Sequence, residues 1–185
     1  MSLALIVVDT ETGGLDPDQH CIIEIAAQTL LIGVGEVTLG ADFYRRIKPD
    51  RPVSPEAARV NGYTPEGWAS ADDPALALGA FRTWLSGQAQ VHEKPTWCGC
   101  NPVFDLKFFN SDRKRHDVAE PAGLGYRLID VQSMAVSLVY RGEISSVSLS
   151  ALRKWAGCEG EQKHTALADV LDTCRVVGAL LMGKG

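Results

Sequence analysis

Asp9 and Glu11 close an apolar run in "VVDTETGGLDP", residues 7–17, one residue apart and directly ahead of Gly13 and Gly14. Side chains alternate along a strand, so residues 9 and 11 point to the same side. Two carboxylates aimed at one spot repel each other unless something positive joins them, and they suit a hard divalent cation that takes oxygen ligands. The pair alone says little: with 23 acids in 185 residues, about three acid-x-acid pairs arise by chance, and a solvated turn after a strand accounts for one equally well. Its place says more, because α/β sheets put ligands at the C-terminal ends of their strands. Two other groups could join it. Asp105, in "NPVFD" at 101–105, falls in the first turn of a helix, where the helix dipole favours a carboxylate even without a function. His164 and Asp169, in "HTALAD", fall near the start of the last helix and can both reach beyond its end. Histidine as a residue type titrates near neutral pH and suits proton transfer, although a lone histidine is more often a surface or core residue.

The elements that must position these groups are legible as patterns. "LALIVVD" is continuously apolar, which predicts a central strand covered on both faces. "CIIEIAAQTLLI" predicts a second strand, Gly33 and Gly35 a turn, and "VTLGADFYRRIKP" a third strand closing a meander. "SPEAARVNG" reads as a short helix started by Ser54-Pro55 and stopped by Gly62. A longer helix opens at Asp73-Pro74, with Leu76, Leu78, Phe81, Trp84 and Leu85 as its apolar positions, and "GQAQVHEKP" reads as a polar link after it. "TWCG" is then a short strand, "NPVFDLKFFN" a helix, "SDRKRHDVAEPAGLG" a loop, and "RLID" a strand leading to a helix through Tyr140. Ser148 caps "LSALRKWAG", and "HTALADVLDTCRVVGALLM" is the final helix. Strands first, then alternating strand and helix, indicates an α/β fold with a mixed sheet.

The three groups share an order, D-x-E, N-x-x-F-D, H-x4-D, and each brings its neighbours: "DTETGGLDP", "IIEIAA", "NPVFD" and "HTALADV". In this the chain resembles the DnaQ-like 3′→5′ exonucleases, the DEDDh branch of the ribonuclease H-like superfamily, from Val7 to about Thr173. The resemblance implies a ribonuclease H-like α/β fold, a central mixed five-stranded sheet flanked by helices, as a single exonuclease domain over 1–185. It implies a site for two divalent cations, Mg2+ or Mn2+, held by Asp9, Glu11, Asp105 and Asp169. Asp9 would bridge both ions, Glu11 and Asp169 would bind the first, and Asp105 would support the second, partly through water. Such ions, about 3.5–4 Å apart, stabilise both the attacking and the leaving oxygens at phosphorus. His164 would act as general base, and nucleoside 5′-monophosphates would leave from a 3′ end. A tyrosine at 164 would mark the sister branch.

For substrate binding the resemblance implies Thr10, Thr12 and Leu15 around the terminal nucleotide, Gly13 beside it where backbone and nucleotide approach closely, and Phe104 as a second apolar wedge. Asn101, at the head of its motif, and Lys163, beside His164, complete the set. Many relatives carry a His-Gly-Ile-like stretch after the third strand. Here it is "VNGYT", so Asn61 would hold the terminal sugar in another way.

Bulk properties agree with this without requiring it. A net charge of −5 disfavours a broad basic face for nucleic acid, and two divalent cations would bring it to −1. The basic run Arg113, Lys114, Arg115 reads as a solvated loop rather than a phosphate track. Five cysteines without a CxxC and without a signal peptide suggest reduced thiols in a cytoplasmic protein, with Cys98 and Cys100 packed in the interior. No apolar run is long enough for a membrane span. The partners expected are the 3′ ends of single-stranded DNA or RNA, DNA favoured, with a DNA polymerase as a candidate protein partner. An RNA-trimming enzyme and a non-catalytic nucleic-acid-binding module are the alternatives.

Overall fold

In the computed structural model, residues 3–183 are described; Met1 and Ser2, at the apolar start, and Lys184 and Gly185 lie outside them. Strand β1 (Leu3–Thr12) is apolar on both faces: Leu5 and Val7 pack on one side, Ile6 and Val8 on the other. Such a strand needs cover from two layers, and it occupies the centre of a sheet with order β3-β2-β1-β4-β5. Strand β2 (Ile22–Gly33) pairs antiparallel with β1, and β3 (Glu36–Arg46) pairs antiparallel with β2 across a two-residue turn at Val34-Gly35. Strands β4 (Thr96–Gly99) and β5 (Leu128–Asp130) run parallel to β1. The mixed five-stranded sheet expected from the sequence is therefore present.

Helix α1 (Pro55–Asn61) starts at Ser54, whose hydroxyl accepts the Ala57 amide at 3.1 Å, and stops at Gly62, in the left-handed conformation at φ 71°. Helix α2 (Pro74–Val91) is capped by Asp73 and buries Leu78, Phe81 and Leu85. Two expectations fail here. Leu76 is 73% exposed instead of buried. The stretch "GQAQV" continues α2 rather than ending it, because Gln88 is fixed by the Thr29 hydroxyl at 2.9 Å; a tertiary contact outweighs the roughly 1 kcal/mol helix penalty of Gly87.

Helix α3 (Pro102–Arg115) likewise runs through "SDRKR", which the sequence assigned to a loop. Its charged residues bind backbone: Asp112 accepts the Ile22 amide at 2.7 Å, and Arg115 donates to the Pro17 carbonyl at 2.8 Å. Phe108 and Phe109 anchor the same helix from below; burial of such a side chain contributes about 1.5–3 kcal/mol. The helix expected through Tyr140 is two short ones, α4 (Val131–Met134) and α5 (Val136–Tyr140), followed by α6 (Leu149–Trp155). Helix α7 (Ala166–Met182) begins at a Thr165 cap, two residues later than the sequence pattern placed it.

The sheet thus separates two apolar layers. On one side Leu5, Val7, Ala26 and Leu30 meet Val170, Cys174 and Val177 of α7. On the other Ile6, Val8, Ile25 and Phe43 meet Phe81 of α2 and Phe108 and Phe109 of α3. The odd-numbered residues of β1 face α7 all the way to its C-terminal end, where apolar side chains give way to Asp9 and Glu11. Cys98 packs within the α7 layer and Cys100 against it, as expected, and all five thiols are free. No helix among the described residues is long and apolar enough to cross a membrane.

Candidate metal centre and nucleotide cavity

Asp9 and Glu11 leave β1 on the side covered by α7, and Asp169, in the first turn of α7, comes down to meet them. One carboxylate oxygen from each lies within 4.8 Å of the others. Asp169 is buried; its Oδ2 accepts the Gln162 amide at 3.1 Å, while its Oδ1 has no hydrogen-bond partner. Asp105 arrives from the opposite face, since the even-numbered Thr10 points toward α3. Its Oδ1 accepts both the Thr10 backbone amide at 2.9 Å and the Thr10 hydroxyl at 2.7 Å. The four carboxylates singled out in the sequence therefore converge, three as one tight group and Asp105 alongside, held by Thr10.

Burial acts on each of the four carboxylates in the direction that disfavours its charge. Burial pushes Asp9 well above the usual carboxylate range, and repulsion from Asp105, Asp169 and Glu11 adds to it. Burial, then Asp169 and Glu24, push Glu11 up to about 8. Burial raises Asp105 to about 7 in spite of the two Thr10 hydrogen bonds, and it raises Asp169 as well. Burial thus works against the charged form of all four carboxylates. A hard divalent cation would give the unpartnered Asp169 oxygen a partner and relieve the mutual repulsion, so the donor set fits one.

His164 is exposed and stands outside α7, two residues before its first turn, at φ 48°. The segment before it contains Gly157 and Gly160, both at φ 75°, and is tied back where Arg153, paired with the buried Asp172, reaches the Gly160 carbonyl at 3.5 Å. Lys163 is exposed beside it.

Against Glu11 opens a cavity of about 620 Å³ whose lining includes Thr10, Thr12, Leu15, Asn61 and Phe104, five of the residues expected at the substrate. Leu15 is 85% exposed and projects as an apolar wall. Asn61 lines the cavity, but its amide is already used: Nδ2 donates to the Thr12 carbonyl and Oδ1 accepts the Tyr63 amide, each at 3.1 Å. Gly13, Asn101 and Lys163 are not in the lining. Gly13 is buried, and the close approach it permits is to the chain itself, since a Cβ there would sit 3.0 Å from the Pro52 carbonyl. Asn101, at φ 59°, ties its backbone to Asp130 through a 3.1 Å bond. Two residues of the 113–115 run are ion-paired within the fold: Arg113 with Glu120 at 3.3 Å, and Arg115 with Asp112.

Sequence reasoning missed three residues here. His20 and Glu56 line the cavity, and the His20 ring lies so close over Gly14 that a Cβ would meet it at 2.5 Å. Glu24 stands beside Glu11 across the β1–β2 pair. Only Glu24 carried a signal, as a single charge inside the apolar run "IIEIAA".

The RNase_T family model, described as Exonuclease, matches residues 6–177. The DNA polymerase III subunit epsilon of Rickettsia conorii is 31% identical over 192 residues, spanning 99% of this chain and 76% of that protein. Its counterpart in Pasteurella multocida is 31% identical over 174 residues, spanning 89% and 62%. Among solved structures, E. coli exonuclease I in complex with a dT13 oligonucleotide superposes with a TM-score of 0.76 at 22% identity. It covers 97% of this chain, which spans only 40% of the exonuclease I chain. A further exonuclease I structure gives a TM-score of 0.79 over 98% of this chain.

Proposed function

The chain belongs to the RNase_T exonuclease family, the DnaQ-like exonucleases, and from that premise we propose that it removes nucleotides one at a time from the 3′ end of single-stranded DNA. The observation that carries this reading is the convergence of Asp9, Glu11 and Asp169 within 4.8 Å, with a buried and unpartnered Asp169 oxygen among them. DNA is favoured over RNA because the relatives are DNA polymerase III epsilon subunits and a similar fold carries a dT13 oligonucleotide. The same relatives make a DNA polymerase the candidate protein partner.

Asp9, Glu11 and Asp169 would hold one divalent cation, and Asp9 with Asp105 a second, Mg2+ and Mn2+ both suiting such oxygen donors. When bound, the cations supply Lewis acidity at the scissile phosphate and stabilise charge on the attacking and leaving oxygens. The chain's own residues do the rest. Thr10 fixes Asp105 with two hydrogen bonds, so one of its oxygens is committed and the other is left to act as ligand. His164, exposed two residues ahead of α7, would take a proton of the attacking water on an imidazole nitrogen as the water oxygen bonds to phosphorus and the phosphorus–O3′ bond breaks, the departing 3′ oxygen taking its proton from solvent. Leu15 and Phe104 offer apolar surface to the terminal base, a contact that tolerates any sequence. Thr12 has its hydroxyl turned to the Gly14 carbonyl at 2.7 Å and serves chiefly to shape the cavity floor.

The test is a time course on 5′-labelled single-stranded DNA and RNA of one sequence, with and without Mg2+ or Mn2+, beside an Asp9→Ala control. A ladder shortening from the 3′ end, faster on DNA and absent in the control, is the expected result. A faster ladder on RNA would exchange the substrate. Retained binding with no shortening of either polymer would replace the enzyme with a binding module.

A further inference from the structure

One buried carboxylate beside the site is not among the three whose oxygens lie within 4.8 Å of one another. Glu24 lies on β2 opposite Glu11, on the α7 side of the sheet, and is 1% exposed. A fifth acid there works against the others, since its charge adds to the repulsion that pushes Asp9 and Glu11 up. Its contacts point elsewhere. Oε2 accepts the backbone amide of Ala166 at 2.8 Å, across 142 residues of sequence, and Ala166 is the first residue of α7. Oε1 accepts the Tyr44 hydroxyl and lies 3.6 Å from Nε of Arg46, both on β3. Arg46 is itself held, with its guanidinium 4.6 Å over the Trp68 ring. Both oxygens of Glu24 are thus committed away from the Asp9–Glu11–Asp169 group. Nor does α7 depend on Glu24 as its cap, because the Thr165 hydroxyl already accepts the Ala168 amide at 3.3 Å.

We infer that Glu24 is a positioning residue of the exonuclease centre: through the Ala166 amide it pins the first turn of α7 to β2, and thereby sets where Asp169 and His164 stand relative to Asp9 and Glu11. This rests on Asp9, Glu11 and Asp169 being the cation-holding set. Asp169 follows Ala166 by three residues and His164 precedes it by two, so a shift of that turn moves both. A carboxylate accepting an N–H at a helix N-terminus makes a charge-assisted bond that the helix dipole reinforces, which suits it to resist the pull of cations nearby. Tyr44 and Arg46 keep the carboxylate turned toward α7.

The full chain is compared as wild type, Glu24→Ala, Glu24→Gln and Tyr44→Phe. Three quantities are measured: Mn2+ affinity from the free-ion EPR signal, hydrogen exchange at the start of α7, and kcat and KM on 5′-labelled single-stranded DNA. Glu24→Ala is expected to weaken Mn2+ binding about 10–100-fold, the range for residues that orient metal ligands, to speed exchange at Ala166, and to lower kcat with little change in KM. Glu24→Gln keeps an oxygen for the Ala166 amide and is expected to recover most of the affinity, with Tyr44→Phe between the two. Unchanged Mn2+ affinity and exchange in Glu24→Ala would overturn the inference. So would a Glu24→Gln as impaired as Glu24→Ala, which would make charge rather than tethering the cause. If Glu24→Ala does not fold, Tyr44→Phe decides: wild-type affinity and exchange there would overturn the inference as well. A wild type that binds no Mn2+ would instead sink the cation assignment beneath it.

Discussion

His164 holds a backbone conformation that few side chains adopt, φ 48°, and does so outside the helix that follows it. Among non-glycine residues asparagine tolerates this region best, so His164→Asn removes the imidazole without forcing the chain to rearrange. If His164 is the general base, that variant should keep the wild-type melting temperature and Mn2+ affinity while kcat falls about 10²–10⁴-fold. Single-turnover cleavage of labelled single-stranded DNA measures it, and a loss under tenfold would assign the proton to another group. At this scale the sequence singled out acids that the fold brings together, Asp9, Glu11 and Asp169 within 4.8 Å and Asp105 alongside on Thr10. Asp9, Glu11, Asp105 and Asp169 are where their motifs imply, because each is fixed by a local element whose ends are legible. Asn61 and Gly13 are less legible in the sequence. Their roles depend on what lies opposite, the Thr12 carbonyl for one and Pro52 for the other, and neither neighbour is close in sequence.

Elements carry the site by their spacing. Gly99, at the end of β4, has its Cα so close to β1 that a Cβ would lie 2.9 Å from the Val8 carbonyl, one residue before Asp9. The obstacle is backbone and cannot rotate away. Gly99→Ala is therefore expected to destabilise the fold by about 1–3 kcal/mol in urea titrations. Gly87, inside α2, has nothing within 4 Å of the same added atom. Gly87→Ala should stabilise by about 0.5–1 kcal/mol, because only backbone entropy changes. Opposite signs for the two glycines are the test; a neutral Gly99→Ala would mean that the β1–β4 spacing is soft. The same contrast explains where element boundaries misled. α2 and α3 outrun their apolar patterns because Gln88, Asp112 and Arg115 are fixed by hydrogen bonds to β2 and to the segment joining β1 and β2.

For the whole molecule, the buried carboxylates link folding to pH and to cations. Glu11 and Asp105, pushed up to about 8 and about 7, keep protons in the folded state that the unfolded chain releases near pH 4. The folded state then binds more protons between about pH 4 and 8, so its stability falls as pH rises through that window. Chelator-treated protein should melt at progressively lower temperature from pH 5 to pH 8. Mn2+ should raise the melting temperature more at pH 8 than at pH 5.5, because at the lower pH it must displace protons. Thermal melts across pH with and without Mn2+ measure both. A melting temperature that rises with pH in chelator would show that the carboxylates ionise freely without a cation.

The strand that carries Asp9 and Glu11, the helices that carry Asp105 and Asp169, and the histidine ahead of the second helix are legible in the sequence, although α7 starts two residues later than its pattern. Those features follow from apolar periodicity, from capping residues and from motif text, which are local. Tertiary structure alone decided that Asp105 reaches the site from the far face of the sheet through Thr10, and that Glu24 joins β2 to the start of α7. It also gave Arg113 and Arg115 their acidic partners, Glu120 and Asp112, within a helix where the sequence reads a solvated loop. Each of these depends on a partner brought close by the packing of two layers on one sheet, and a polar side chain in sequence carries no mark of which partner will satisfy it.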